Sequence, residues 1–231
     1  MLRQCLLISI ILLFAVGRAS VEISVSGKTS FSLDKEGSLS LVGSLKSGDL
    51  FLDNIDQDAS SFTYIQFQGY HHSNIIGSPK LPEIHKLIEI PQAAMPRIEI
   101  ISEEVEYLFL GDYDIHDPIF PHQPSLSKSQ DPEDVPFELN ESLYDTDAFI
   151  SPELISVDLK GQLRSLRLAS LVIRPVDYNP VSGMIRVTKS VDFIIHFDGA
   201  DLAKTETLKE TYYSPYFESV YRLVNYEAPD L

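Results

Sequence analysis

Residues 177–197 decide the fold: they open with Asp177-Tyr178-Asn179-Pro180-Val181-Ser182-Gly183 and continue into two β-branched runs, 184–187 and 191–197. Asn-Pro initiates turns, and Gly183 can adopt the positive φ that a tight turn needs. The runs are rich in Val, Ile and Phe, which favour strands. The stretch, with the apolar run before it, therefore predicts an antiparallel hairpin.

Strand-like patterns continue outward from this hairpin toward the N-terminus. Four further segments either alternate apolar with polar residues or are rich in β-branched residues: 21–25, 61–67, 97–105 and 166–173. Alternation places one face of a strand on a core. Pro91 and Pro175 end two runs, because proline cannot donate to a continuing ladder. Before Ala200 no helical apolar stripe occurs, so the sequence predicts an all-β fold, an antiparallel β-sandwich of jelly-roll-like type.

The first nineteen residues have a different composition. Arg3 precedes the apolar run 5–16, and small residues follow at Gly17 and Ala19. This order is typical of a secretory signal peptide cleaved after Ala19, and the run is shorter than the ~20 apolar residues of a membrane anchor. We therefore expect a signal peptide over 1–19, a secreted or cell-surface protein, and no stable membrane insertion after cleavage.

Cysteine content and charge exclude several classes of protein. Cys5 is the only cysteine and lies in the expected signal peptide, so the mature chain would have no disulfide, no cysteine-based zinc site and no cysteine nucleophile. The net charge is −16, from 18 basic and 34 acidic residues. Such a field disfavours nucleic acid and anionic membranes and favours a basic or cation-lined partner; solubility alone is the alternative reading.

The sequence contains few patterns that are typical of catalytic or metal-binding sites. No Gly-x-Ser-x-Gly elbow, phosphate-binding glycine motif or tryptophan occurs, so we predict no enzymatic activity for these residues. Adjacent histidines on a strand point to opposite faces, and the acidic runs lack the glycine and distal glutamate of an EF-hand. We predict neither metal nor cofactor, and interpret the candidates as loop histidines and solvated turns. These candidates are His71-His72 with His85, the run 53–58, and Asp112, Asp114 and Asp117 around His116.

A proline-rich stretch, residues 117–136, is the best candidate for a functional site. Five of its residues are proline: Pro118, Pro121, Pro124, Pro132 and Pro136. Its composition predicts an exposed loop, partly in polyproline conformation. About twenty unstructured residues are uncommon inside a compact domain and are often functional.

The C-terminal part changes character again. Residues 201–211 are polar, and 212–226 are rich in aromatic residues. The aromatic segment either docks back on the sandwich or opens a further domain.

Several segments in order resemble the propeptide of gingipain-type cysteine proteases, peptidase family C25. The segments are Gly77-Ser78-Pro79-Lys80-Leu81-Pro82, Glu89-Ile90-Pro91, Pro121-His122-Gln123-Pro124 through Lys128-Ser129, Tyr144-Asp145-Thr146-Asp147-Ala148-Phe149 with Pro152-Glu153-Leu154, Arg167-Leu168-Ala169 to Ile173-Arg174-Pro175, and Tyr178-Asn179-Pro180 with Gly183. The resemblance implies a bacterial, non-catalytic β-sandwich propeptide that assists folding of a protease and holds it latent. It divides the chain into a signal peptide at 1–19, a propeptide domain at 20–205, and a linker or lead-in at 206–231 to a protease domain whose catalytic Cys and His are absent here.

The resemblance also assigns a contact residue. In this family a loop residue of the propeptide lies across the active-site cleft and mimics the preferred basic side chain of a substrate. The matching loop here is 117–136, with Lys128 as its only Lys or Arg and Ser127 and Ser129 beside it. The implied partner is the cognate cysteine protease domain, in cis or in trans; an ordinary solvated lysine is the competing interpretation.

Two other interpretations stay open at this point. Exposed loops and acidic clusters also suit an extracellular adhesion or carbohydrate-binding sandwich. The chain could equally be a degenerate gene fragment without a function of its own.

Overall fold

The computed structural model describes residues 20–57, 60–131, 135–150, 152–221 and 224, so the expected signal peptide lies outside the described residues. The strands are β1 Val21–Ile23, β2 Ser30–Lys35, β3 Ser40–Lys46, β4 Leu50–Gln57, β5 Ser60–Phe67, β6 His71–His72, β7 Pro82–Ile90, β8 Met95–Phe109, β9 Ile155–Leu163, β10 Leu166–Ile173, β11 Val176–Asn179 and β12 Met184–Asp198. The helices are α1 Glu141–Tyr144, α2 Leu202–Tyr212 and α3 Glu218–Tyr221, with 3₁₀ turns at Leu110–Tyr113 and Pro215–Phe217.

The predicted hairpin is present and leads into the central strand of the largest sheet. β11 pairs antiparallel with the start of β12, and Gly183 between them has φ +66°. β12 then pairs with β8 on one side and with β3 on the other, and β2 extends the sheet beyond β3. The two predicted runs belong to one strand. Its pairing with β8 continues through the polar residues that separate the runs, with register shifts at Thr188–Ser190 and at Asp192–Phe193.

Two smaller antiparallel sheets complete the fold. One has the order β1-β4-β5, and the other has the order β6-β7-β10-β9. β7 ends at Ile90 and β10 ends at Ile173, so Pro91 and the Arg174-Pro175 pair terminate strands as predicted.

One continuous face of β12 covers two hydrophobic cores. Apart from Lys189, its odd-numbered residues pack first against the β1-β4-β5 sheet and then against the β6-β7-β10-β9 sheet. The first core includes Ile185, Val187, Leu50, Leu52 and Ile65, and the second includes Val191, Phe193, Ile195, Ile88 and Leu171. The predicted all-β antiparallel sandwich is confirmed, with one long sheet facing two short ones.

Two local predictions are wrong. Asp53 to Gln57, predicted as a solvated turn, belong to β4, and Asp58 lies outside the described residues. The histidines predicted in loops lie in β6 and β7. In both places the hydrogen-bond ladder to a neighbouring strand outweighs the low strand propensity of the individual residues.

The C-terminal segment docks back on the sandwich. Asp201 caps α2 by accepting a hydrogen bond from the Lys204 backbone N–H at 2.9 Å. The predicted boundary between 205 and 206 lies inside this helix. Beyond it, three residues of the aromatic segment pack around Leu166 on the sandwich: Tyr213, Phe217 and Tyr221. Across the described part of the chain, no helix has the length and apolar character needed to cross a membrane.

Candidate functional site

The proline-rich loop begins with a well-anchored segment, residues 118–123, which we name the first arm. Ile119 is fully buried in the first core, and Pro121 is buried beside it. Backbone hydrogen bonds attach the arm to β5 and to the segment before β7. They run from Thr63 N to Pro118 O (2.8 Å), Phe120 N to Thr63 O (2.8 Å), Lys80 N to Phe120 O (2.9 Å) and His122 N to Ser78 O (2.8 Å).

A second arm, residues 137–140, returns beside the first. The Gln123 side-chain amide donates to the Glu138 carbonyl at 2.8 Å and accepts from the Glu138 N–H at 2.9 Å. The Phe137 ring packs against Phe62 and Phe120, with centroid separations of 5.4 and 6.0 Å. The two arms therefore close the base of the loop.

Tyr144 of α1 also fixes the first arm. Its hydroxyl donates to the Ile119 carbonyl at 2.6 Å. Burial, reinforced by Tyr178, raises the pKa of Tyr144 above its ordinary value. The hydroxyl therefore stays protonated and remains a donor at neutral pH.

The loop reaches its exposed tip in a four-residue turn, Ser127 to Gln130, which we name the tip turn. The Gln130 N–H donates to the Ser127 carbonyl at 3.1 Å, and the Gln130 Oε1 accepts from the Ser127 N–H at 3.2 Å. Lys128 is the second residue of this turn. Ser127, Lys128 and Ser129 are all exposed, and the two serine hydroxyls lie 3.4 Å apart.

Lys128 dominates the positive charge of this loop. Burial lowers the pKa of His122 from its ordinary value, and the charge of Lys80 lowers it further. At neutral pH His122 is therefore uncharged, and Lys128 is the one Lys or Arg between 117 and 136. The arrangement presents a single ammonium group on a hydrogen-bonded turn.

The prediction of an unstructured loop over 117–136 is wrong for the first arm. Residues 118–123 are paired or packed, because Ile119 and Phe120 supply apolar surface among the prolines. No sequence pattern indicated Gln123, because its role depends on a partner that is fifteen residues away.

The other candidate clusters form ordinary local contacts. His72 bonds to Tyr64 Oη at 3.3 Å and to the Ile65 carbonyl at 3.0 Å, and His85 bonds to Glu83 at 2.8 Å. Asp117 accepts from Asn54 at 2.8 Å. In the ranges that the structure describes, no three His, Cys, Asp or Glu side chains come together in a way that could hold a metal ion.

The sequence also failed to indicate a buried ion pair under α2. Lys209 Nζ lies 3.4 Å from Glu89 Oε1, and their side chains are only 8 % and 6 % exposed. One turn earlier, Thr205 Oγ1 accepts from the Gln92 N–H at 2.9 Å. This pair and this hydrogen bond attach the helix to β7 and the residues after it.

Comparison with known families identifies the chain. Residues 36–228 match the family model Propeptide_C25. The chain belongs to the Propeptide_C25 family. The family resemblance expected from the sequence is confirmed, and as a Propeptide_C25 member the chain is a non-catalytic propeptide.

Curated relatives of this Propeptide_C25 chain are much longer than it is. Lys-gingipain from Porphyromonas gingivalis is 34 % identical over 171 residues, which cover 74 % of this chain and 10 % of the relative. Gingipain R2 from the same organism is 24 % identical over 154 residues, covering 66 % of this chain and 20 % of the relative. The chain thus spans between a tenth and a fifth of the length of these proteins.

Two solved structures share the fold of this Propeptide_C25 chain. A P. gingivalis gingipain K structure, described as insight into zymogenic latency, superposes with a TM-score of 0.72 at 30 % identity, covering 79 % of this chain and 100 % of the other. A complex of P. gingivalis RgpB pro- and mature domains gives a TM-score of 0.65 at 16 % identity, covering 83 % and 94 % of the two chains. At that identity the second match establishes the fold alone.

Proposed function

We propose that this propeptide is exported through residues 1–19 and holds the protease domain of a C25 precursor latent, with the tip turn across its active-site cleft. The observation that carries the proposal is the similarity to the gingipain K chain described for zymogenic latency, which is matched over its whole length at 30 % identity. The partner is the cognate protease domain, joined in cis or bound in trans.

The geometry of the loop suits an inhibitor. Ordering a flexible loop on binding costs free energy, and a loop that is already held by its arms avoids part of that cost. The Lys128 ammonium is a compact point charge on a long stem, which can reach into a carboxylate-lined pocket. Ser127 and Ser129 flank it with hydroxyl groups that can bond to the cleft walls.

A folding role follows from the same binding. A partner that binds the folded protease and not its unfolded chain stabilises the folded form by mass action. We therefore propose that the propeptide also assists folding of the protease domain. Refolding of denatured Lys-gingipain protease domain with and without the purified protein tests this role, and an unchanged yield of folded enzyme contradicts it.

Inhibition assays test the proposed contact. The purified protein is titrated against Lys-gingipain and Gingipain R2, beside the Lys128→Ala variant. Lys160→Ala is the matched control, because Lys160 is an exposed lysine on β9. We expect inhibition of Lys-gingipain that weakens by about tenfold or more in Lys128→Ala, a loss of about 1.4 kcal/mol, and that is unchanged in Lys160→Ala.

The outcomes separate the parts of the proposal. If Lys128→Ala inhibits as well as the wild type, the propeptide contacts the protease through other residues and Lys128 is an ordinary surface lysine. If the wild type inhibits neither enzyme, the latency function is contradicted for gingipain-type partners. Lys128→Arg adds a specificity readout, since a gain against Gingipain R2 would show that this side chain enters the primary pocket.

A further inference from the structure

A short turn beside the loop exposes two adjacent isoleucines. The Ser78 N–H donates to the Ile75 carbonyl at 3.1 Å, and Gly77, the third residue of the turn, has φ +76°. A glycine is favoured there because L side chains rarely adopt such an angle. Ile75 and Ile76 are 65 % and 53 % exposed. We name residues 75–78 the isoleucine turn.

The isoleucine turn is attached to both arms of the proline-rich loop. The Gly77 N–H donates to the His122 carbonyl of the first arm at 2.8 Å, and the Gly77 carbonyl accepts from the Asn140 N–H of the second arm at 3.0 Å. A Cβ at Gly77 would lie 3.1 Å from Asn140 N, so the close approach also favours glycine. These bonds make the turn and the base of the loop one rigid unit.

The isoleucine turn and the residues that flank it carry no charge. Residues 73–79 contain no charged side chain, although the chain has 18 basic and 34 acidic residues. Leu139, whose backbone lies against Gly77, is 37 % exposed. Scattered exposed apolar residues are normal on protein surfaces, whereas a charge-free group of neighbouring aliphatic side chains is typical of the centre of a protein interface.

Distance places this surface within reach of a partner bound at Lys128. His122 is bonded to the turn, and Lys128 follows six residues later, so the two lie within about 20 Å of each other. An interface of standard size buries about 800 Å² per partner and is therefore about 30 Å across. One partner can cover both features.

We propose that Ile75 and Ile76 form an apolar docking surface for the protease domain, contacting an uncharged patch beside the cleft that receives Lys128. The inference rests on the proposed function. The protease is the occupant because the surface continues from the arms that hold the tip turn. Lys128 confers charge selectivity, and the isoleucine turn supplies apolar burial, which contributes most to affinity in interfaces of this kind.

The test uses paired double variants. Ile75→Ser with Ile76→Ser removes the surface, and Ile100→Ser with Ile101→Ser is the control, because these residues of β8 are 46 % and 56 % exposed. We expect the first variant to inhibit Lys-gingipain about tenfold or more weakly, and the control to stay within about twofold of the wild type. Urea unfolding midpoints of the isoleucine-turn variant and the wild type should coincide, since the altered side chains are exposed.

Combination with Lys128→Ala distinguishes the two proposals. Losses that multiply in the triple variant support two separate contacts on one partner. An isoleucine-turn variant with wild-type inhibition, beside a weakened Lys128→Ala, overturns the docking surface and leaves the proposed function intact. A weakened isoleucine-turn variant beside an unchanged Lys128→Ala supports the docking surface and contradicts the role of Lys128.

Two further outcomes overturn the docking surface. If the wild type does not inhibit at all, the docking surface and the proposed function are both wrong. If the isoleucine-turn variant changes only the oligomeric state of the free protein in light scattering, with inhibition unaltered, the surface binds a second copy of the chain.

Discussion

The proline-rich loop and helix α2 are fastened to the same sandwich by different interactions. The loop is held by backbone and amide hydrogen bonds, by phenylalanine packing and by the Tyr144 hydroxyl, which is protonated at neutral pH because burial raises its pKa. The helix is held in part by Lys209 and Glu89, an ion pair that is almost completely buried. The position of Lys128 should therefore depend little on pH, whereas the stability of the region around α2 should change with the protonation state of Glu89.

The largest expected effect comes from removing one member of the ion pair. Lys209→Met takes away the cation nearest to the buried Glu89, and breaking a buried pair typically costs about 3 kcal/mol. We expect a loss of that size in the free energy of unfolding measured with urea, with unchanged protection of the loop amides in hydrogen exchange.

Two controls bracket this prediction. Lys204→Met alters an exposed lysine of the same helix and should change the free energy of unfolding by less than about 0.5 kcal/mol. Glu89→Leu combined with Lys209→Met should recover much of the loss, because no charge then stays buried. Equal losses in the Lys204 and Lys209 variants would mean that the pair does not hold the helix.

A pH series should distinguish Glu89 from Asp49, a half-buried carboxyl whose pKa is shifted in the opposite direction. Burial raises the pKa of Glu89 above its ordinary 4.5, against the opposing effects of Lys209 and Lys35. Between its unfolded and folded pKa values the folded state binds more protons, so the contribution of Glu89 to stability falls as pH rises through that window. Relative to Glu89→Gln, the wild type should gain stability as the pH is lowered from about 7 to about 4.

The pKa of Asp49 is shifted in the direction opposite to that of Glu89. Backbone hydrogen bonds from Gly27 and Val25 lower its pKa below the ordinary 3.8, so its stabilising contribution is present above the unfolded pKa and is lost as pH falls. Relative to Asp49→Asn, the wild type should therefore lose free energy of unfolding as the pH is lowered. Parallel shifts for the two carboxyls would contradict the role assigned to burial at Glu89.

An intermediate effect is expected where the two arms of the loop meet. Gln123→Ala removes both hydrogen bonds to Glu138, and each is worth about 1 kcal/mol. Hydrogen exchange of the Glu138 amide should accelerate, and inhibition of Lys-gingipain should weaken because the tip turn loses its preorganised position. The urea midpoint should fall by the equivalent of no more than about 2 kcal/mol, since the sandwich cores are untouched. Unaltered exchange at Glu138 would show that the arms are held by Phe137 and the backbone alone.

Much of the fold could be predicted because its signals are local. The turn at 177–183 and the alternating strands depend on neighbouring residues, so the hairpin and the sandwich class followed from the sequence. The choice of strand partners does not follow from local signals. β12 pairs with β8 across more than seventy residues, and no pattern within either strand specifies its partner. The pairing of β4 with β5 is local, but there the hydrogen-bond ladder outweighs the turn-like composition of Asp53 to Gln57.

The candidate site was predictable only in part for the same reason. Composition located the loop and its single lysine, and these are local properties of 117–136. The closure by Gln123 and Glu138, the bonds of Gly77 to both arms and the burial of Lys209 join segments that are distant in sequence. A buried lysine on a polar helix looks like any solvated lysine until its partner strand is known.

The smallest expected effect concerns the tip turn itself. Gln130→Ala removes the side-chain oxygen that accepts from the Ser127 N–H, while the backbone bond from Gln130 N to the Ser127 carbonyl is retained. Because the turn is exposed, stability should change by less than about 0.5 kcal/mol, and inhibition of Lys-gingipain should weaken by about twofold to threefold. A loss as large as that of Gln123→Ala would mean that the position of Lys128 depends on the hydrogen bond between the Ser127 N–H and the Gln130 side chain. The arms alone would then not hold the tip turn in place. With a small loss, the order of the tip comes from the hydrogen bonds and the phenylalanine packing of the two arms.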